Sequence, residues 1–331
     1  MRRFSRRLDI AEKLARVFGA DVSEEVVHAV EGVDIAVMAG EIFGLVGESG
    51  CGKSTLGRIL AGLLPTTAGA LLWRGQEVQS LSRSDALDMR LAVQMIFQDP
   101  MSSLNPRKRV IDLIGEAPLV HGMVGRREQN DYVAEIMQKV GLDPSYRHRY
   151  PHQFSGGQRQ RIGIARALAV KPKLLICDEA VSALDVSIQA QVINLFMDLR
   201  EEFGLTYVFI SHDVGVVKHI SDRVAIMYLG KFVETAQGDH FFASPNHPYA
   251  AALLKEVPNI KERHRAFAPI KGEIPSPLHP PPGCAFHPRC PSAFAPCDKQ
   301  EPALKSIADR HFSACHLNDM TASQSFSPAA A

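Results

Sequence analysis

The sequence predicts an α/β fold built on a mainly parallel sheet. Short apolar runs ending at glycine or a polar residue recur at 42–46 (IFGLV), 174–177 (LLIC) and 207–211 (YVFIS). Amphipathic segments of helical period lie between such runs, and this alternation implies βαβ units. The first run leads directly into Gly47-Glu48-Ser49-Gly50-Cys51-Gly52-Lys53-Ser54. A G-x-x-x-x-G-K-[ST] stretch after a strand and before a helix is the context that a phosphate loop requires.

The elements follow in order. Residues 29–38 alternate as a strand does, and IFGLV is short and apolar enough for a buried strand. Lys53 to Leu64 reads as a helix stopped by Pro65. AVQMIF (92–97) is a further strand. Residues 130–141 place Val133, Ile136, Met137 and Val140 on one helical face, closed by Gly141. Gln158 to Ala169 reads as a helix after a Ser-Gly-Gly turn, and 187–203 as a long helix between two strands. Residues 223–236 hold two strand-like runs around Gly230 and predict a hairpin. Beyond Lys255 proline becomes dense (PSPLHPPPG) and four cysteines follow. The expected division is a lead-in over 1–28, a nucleotide-binding domain over 29–255, a Cys/Pro-rich extension over 256–320 and a disordered tail over 321–331.

Length and composition narrow the class. At 331 residues the chain holds about two domains of ordinary size. A net charge of +1 gives no global electrostatic argument for nucleic acid. No apolar stretch approaches the roughly 18–20 residues needed to cross a bilayer. The N-terminal MRRFSRRLDI lacks the apolar region of a secretory signal, so a cytoplasmic location is expected. Arg2, Arg3, Arg6 and Arg7 read as a frayed, solvated tail, with contact to anionic headgroups as the alternative.

The phosphate loop has a defined chemistry. Gly47, Gly50 and Gly52 let the backbone curl its N–H groups inward, with Glu48, Ser49 and Cys51 between them. Cys51 falls on a free position that needs no role. Lys53 is placed to reach the β- and γ-phosphates of ATP, and Ser54, followed by Thr55, to ligate Mg²⁺. The helix beginning here adds its positive end. Asp178, ending the strand LLIC, is placed to hold the same Mg²⁺, and Glu179 to orient or deprotonate a water. Cys177 reads as a buried residue of that strand.

Further motifs carry a family resemblance over nearly the whole chain. Phe154-Ser155-Gly156-Gly157-Gln158 resembles the signature sequence of ABC ATPases, with Phe154 where leucine is usual. The resemblance implies a phosphate-loop NTPase of ABC type: a mixed or parallel core sheet, an antiparallel β subdomain and a helical subdomain carrying the signature. It implies that Ser155, Gly156, Gly157 and Gln158 complete the ATP pocket of a second subunit. Gln98, in FQDP, resembles the Q-loop glutamine that senses Mg²⁺ and meets a membrane subunit. Asp185, in SALD, resembles the D-loop residue, and His212 the switch histidine at the γ-phosphate. By the same resemblance Phe18 is the candidate for stacking on adenine.

VGESGCGKSTLGR, FQDPMSSLNPR, SPNHPYAAALL and the Cys/Pro-rich tail together resemble the dipeptide/oligopeptide importer ATPases, a branch that includes nickel and glutathione importers. The implied partners are two transmembrane permease subunits, a second and related ATPase chain, and a periplasmic or extracellular substrate-binding protein, with no nucleic acid. This chain would act on the cytoplasmic face of the membrane. Cys284, Cys290, Cys297 and Cys315 are spaced C-x5-C-x6-C-x17-C, without the close pair of a common zinc ribbon. The spacing leaves iron–sulfur, zinc and free thiols open, and the resemblance implies a [4Fe–4S] cluster. Two other classes compete. A soluble ABC ATPase of repair or translation usually has two cassettes or a coiled-coil insert. A non-ABC phosphate-loop kinase or GTPase has no use for the signature, D-loop and His212 motifs.

Overall fold

The structure is a computed structural model that describes residues 1–5, 26–99, 103–256, 270 and 272–319. In chain order its strands are β1 (Arg2–Ser5), β2 (Val26–Val30), β3 (Ile42–Val46), β4 (Leu72–Trp73), β5 (Gln76–Glu77), β6 (Val93–Ile96), β7 (Leu174–Asp178), β8 (Thr206–Ser211), β9 (Arg223–Tyr228), β10 (Lys231–Gln237), β11 (Lys305–Ala308) and β12 (His311–Ser313). Its helices are α1 (Lys53–Leu60), α2 (Arg83–Ala92), α3 (Val110–Val120), α4 (Gln129–Lys139), α5 (Gly156–Leu168), α6 (Val186–Phe203), α7 (Val214–Ile220), α8 (Gly238–Ala243) and α9 (Pro248–Lys255). The chain forms two compact units: Met1–Val33 with Gly47–Gly52 and Val224–Ala331, and Asp34–Val46 with Lys53–Arg223.

The larger unit holds the parallel ladder β3-β8-β7-β6. Every residue of β3 and β8 is buried. That explains the unbroken apolar runs, since a parallel strand is covered on both faces. α6 buries Val192, Leu195, Phe196 and Leu199, and α4 buries Val133, Ile136 and Met137. α6 stops at Gly204, which takes φ +62 as a left-handed C-terminal cap.

The smaller unit holds the strands β11-β12-β10-β9 and the antiparallel pair β1–β2. β9 and β10 meet at Leu229-Gly230, both at positive φ, so the expected hairpin forms there.

Three local expectations change. The strand predicted over 29–38 lies instead at Val26–Val30 and shares only residues 29 and 30 with that range. Gly32 at φ +59 turns the chain, and residues 31–38 alternate in exposure without joining a ladder. The helix predicted to Leu64 ends at Leu60, because the N–H groups of Leu63 and Leu64 turn back to the Arg58 carbonyl around Gly62 at φ +69. Arg2 and Arg3 are not a frayed tail: they belong to β1, and Arg3 pairs with Glu31 at 2.5 Å, which His28 also contacts at 2.7 Å. Arg6, Arg7 and Phe18 lie outside the described residues.

Candidate active site

The phosphate loop is shaped by how closely the backbone packs around it. A Cβ on Gly47 would stand 2.2 Å from the Met227 carbonyl oxygen, and one on Gly52 would stand 2.1 Å from that of Ala29. Gly50 and Gly52 hold φ +81 and +107, which L side chains rarely adopt. Cys51 is not on a free position. It is buried, and its carbonyl accepts the Gly230 N–H at 2.8 Å. Glu48 is fastened too: its N–H donates to Tyr249 Oη at 2.9 Å, and Arg289 donates to both carboxylate oxygens at 2.7 and 2.9 Å. Ser49 and Gly50 remain exposed at the tip.

The chain then enters α1, whose first residue Lys53 is 4% exposed. Ser54 and Thr55 stand in the first turn. Ser54 Oγ donates to Asp178 Oδ1 at 2.7 Å, so two of the three expected Mg²⁺ residues are in contact, while the third, Gln98, meets Glu179. Burial raises the Asp178 carboxyl above its ordinary range, opposed by the Ser54 hydrogen bond and by Arg58 and Lys53 nearby.

Glu179 sits just past β7 at φ +49, in the left-handed region, with its N–H bonded to the Ile210 carbonyl. A non-glycine residue held there is costly and marks an over-determined position. Its side chain meets two groups. Gln98 Nε2 donates to Glu179 Oε2 at 2.8 Å, and His212 Nδ1 lies 3.4 Å from the same oxygen. The ends of β6, β7 and β8 thus bring Gln98, Glu179 and His212 together, as the C-terminal edge of a parallel sheet does.

The signature segment forms the start of α5. Ser155 is its N-cap, its Oγ accepting the Gln158 N–H while Gln158 Oε1 accepts the Ser155 N–H. This reciprocal cap begins the helix at Gly156, two residues before the expected start. A Cβ on Gly157 would stand 2.5 Å from Ile188 Cγ2 of α6, whereas Gly156 has nothing within 4 Å. Asp185 is the N-cap residue of α6 without a side-chain cap bond, and the next residue, Val186, is 83% exposed.

Cys284, Cys290, Cys297 and Cys315 line one cavity, together with Phe286 and Leu317. Burial pushes the Cys315 thiol up to about 11 and raises Cys284 and Cys290, which keeps these thiols protonated at neutral pH. Among the described residues no group of three or more His, Cys, Asp or Glu side chains is arranged to hold a metal ion. Cys177 is fully buried in β7, as its run predicts.

Sequence reasoning missed Arg289, Tyr249 and Tyr228 around Glu48. Glu48 occupies a variable position of its motif, and nothing in the spacing pairs it with a residue 241 positions away.

The pattern of the ABC transporter family matches residues 30–182, and that of the oligopeptide/dipeptide transporter C-terminal region matches 233–297. The chain is 54% identical over 295 residues to the oligopeptide transport ATP-binding protein AppF of Bacillus subtilis, covering 88% of this chain and 90% of that one. The chain belongs to the ABC transporter ATP-binding family. It is also 50% identical to OppF of Escherichia coli over 292 residues, 87% of each chain. With the di/tripeptide transport protein DppF of Pseudomonas aeruginosa it shares 48% over 291 residues, 88% of this chain and 90% of that one. Among solved structures, the ATP-binding cassette MJ0796 in a dimeric post-hydrolysis state with ADP and phosphate aligns at TM-score 0.59 and 27% identity, covering 66% of this chain and 94% of that one. CbiO1 of Clostridium perfringens aligns at TM-score 0.59 and 27% identity, covering 65% and 84%. This ABC protein is therefore an ATPase with an α/β phosphate-loop fold. Among its described residues no helix is long and apolar enough to cross a membrane.

Proposed function

We propose that this ABC ATPase is the motor subunit of an importer for di- and oligopeptides. The observation that carries the reading is the match of residues 233–297 to the oligopeptide/dipeptide transporter C-terminal region, beside the phosphate loop of residues 47–54. The chain works on the cytoplasmic face of the membrane with two permease subunits. A second, related ATPase chain and an extracytoplasmic substrate-binding protein complete the assembly.

The residues act in defined ways. The N–H groups of the phosphate loop and Lys53 hold the β- and γ-phosphates of ATP. Ser54 and Asp178 hold the Mg²⁺ that accompanies ATP, which neutralises phosphate charge when bound. Glu179 takes a proton from the attacking water, and Gln98, which donates to it, senses the Mg²⁺ and meets the membrane subunit. His212 stabilises charge on the γ-phosphate. Ser155 to Gln158 and Asp185 serve the nucleotide of the opposing subunit, which fits the open face of Gly156. The Cys/Pro-rich extension begins after residue 255.

The four cysteines supply the donor set of a [4Fe–4S] cluster. Cys284, Cys290, Cys297 and Cys315 would each supply one thiolate to it. Four thiols lining one cavity are consistent with that donor set.

Uptake of a labelled tripeptide by cells lacking this chain tests the function. Restoration by the intact chain and not by Lys53→Ala is expected. Restoration of nickel or glutathione uptake in place of peptide uptake overturns the substrate class, and restoration of neither overturns the transport role.

A further inference from the structure

The phosphate loop is the most glycine-rich stretch of its site, with glycine at 47, 50 and 52. Glycine gives the backbone freedom that must be removed before the N–H groups can converge on an anion. The loop's only charged side chain before Lys53 is Glu48, and that residue is held by both its side chain and its main chain. Arg289 grips both carboxylate oxygens, at 2.7 and 2.9 Å, and Tyr249 Oη accepts the main-chain N–H at 2.9 Å. The Arg289 side chain is 4% exposed and that of Glu48 22%. A two-pronged contact of this kind fixes orientation as well as distance, which an ammonium group does not do.

Arg289 comes from the cysteine-rich tail. It closes the short turn His287–Arg289, with its N–H on the Phe286 carbonyl, and Cys290 follows directly with its N–H on His287. Cys284 stands before the turn, its N–H bonded to the Cys297 carbonyl at 2.8 Å. Phe286, between them, packs against Tyr228 and Tyr249, with ring centroids 5.4 and 5.2 Å apart. Arg289 also donates to Tyr228 Oη at 3.4 Å. The backbone that carries Arg289 is thus the backbone that holds two of the four cavity-lining thiols.

We infer that Arg289 is a positioning residue for the phosphate loop, and that through it the state of the four-cysteine cavity sets the affinity for nucleotide. The inference rests on residues 47–54 being the phosphate site. It does not depend on which metal, if any, the thiols bind.

The test is equilibrium binding of ATP with Mg²⁺, together with kcat and KM for hydrolysis, on the full chain. Arg289→Ala and Glu48→Gln should each weaken ATP binding about tenfold, within the usual range of coupling between sites. The double variant should bind no more weakly than either single one. Arg289→Lys should recover only part of the loss. KM should rise more than kcat falls, because the chemistry at Glu179 is untouched. Cys290→Ser should weaken ATP binding in the parent chain and add nothing to Arg289→Ala. If Arg289→Ala does not fold, Glu48→Gln leaves the tail intact and carries the same expectation. ATP affinity within twofold of the parent in both single variants overturns the inference, as does a lowered melting temperature with unchanged affinity. Additive effects of Cys290→Ser and Arg289→Ala overturn the link to the cysteines. Lys53→Ala separates the two levels: if it too binds ATP normally, the phosphate-site reading fails, and if it alone loses ATP, only the role of Arg289 fails.

Discussion

Gln98 Nε2 and Glu179 Oε2 lie 2.8 Å apart, joining the end of β6 to the residue just past β7. One oxygen of the proposed base thereby already accepts a hydrogen bond, with His212 Nδ1 3.4 Å from the same atom. The other carboxylate oxygen, Oε1, leaves Glu179 with acceptor capacity for a water.

Glu179→Gln keeps the shape and removes the base. It should bind ATP with parent affinity, accumulate as a closed dimer, and lose about 100-fold or more in turnover. Normal turnover in steady-state phosphate release would remove Glu179 from its proposed role. Gln98→Ala frees the carboxylate and should raise KM or lower kcat by a smaller factor than Glu179→Gln does.

The two signature glycines should respond in opposite ways. Gly157 is pressed against Ile188, so Gly157→Ala should destabilise the chain by about 1–3 kcal/mol through overpacking. Gly156 has open space around its Cβ position and lies in a helix, where alanine is the better former. Gly156→Ala should keep the melting temperature yet lower ATP turnover, because the open face is the one proposed to serve the opposing subunit's nucleotide. Unchanged turnover would refute that use of the face.

A buried histidine sets an acid limit on stability. His247 caps α9, its Nδ1 accepting the Tyr249 N–H, while the Glu234 carboxylate accepts the His247 N–H and contacts His311. The cavity it lines also holds His287, His316 and the four thiols. Burial lowers its pKa from 6.5 to about 4. The unfolded chain binds a proton from pH 6.5 downward and the folded chain only near pH 4. Stability is therefore full above pH 6.5 and declines as pH falls towards 4, by on the order of 3 kcal/mol. His247→Asn keeps a capping acceptor without titrating, and denaturant melts of it should show a flatter profile over that window.

Metal content decides the reading of the tail. Protein purified without oxygen should carry about four iron and four sulfide per chain and absorb in the visible. Cys290→Ser should lose both. Zinc alone, or no metal, overturns the cluster and leaves the assignment as an ABC ATPase standing.

Much of the site was legible before the fold was known, because its parts are local. A phosphate loop, a signature turn and a carboxylate at a strand end each need a few consecutive residues in a fixed order. The strands β3, β7 and β8 were legible for a similar reason, since a run buried on both faces has no polar positions to obscure it. The strand over 29–38 failed because alternation records which side faces solvent, and not whether a partner strand lies beside it.

The amino-acid sequence by itself pointed to the phosphate loop, to the acids proposed to serve it and to the family, all carried by short segments. Tertiary structure alone decided who touches whom across long separations. Gln98 and Glu179 are 81 residues apart, and Glu48 and Arg289 are 241 apart. No periodicity encodes such pairs. They arise only when packed strands and turns bring distant backbone together, and there the site gains its hydrogen-bond network and the phosphate loop its hold on the cysteine-rich tail.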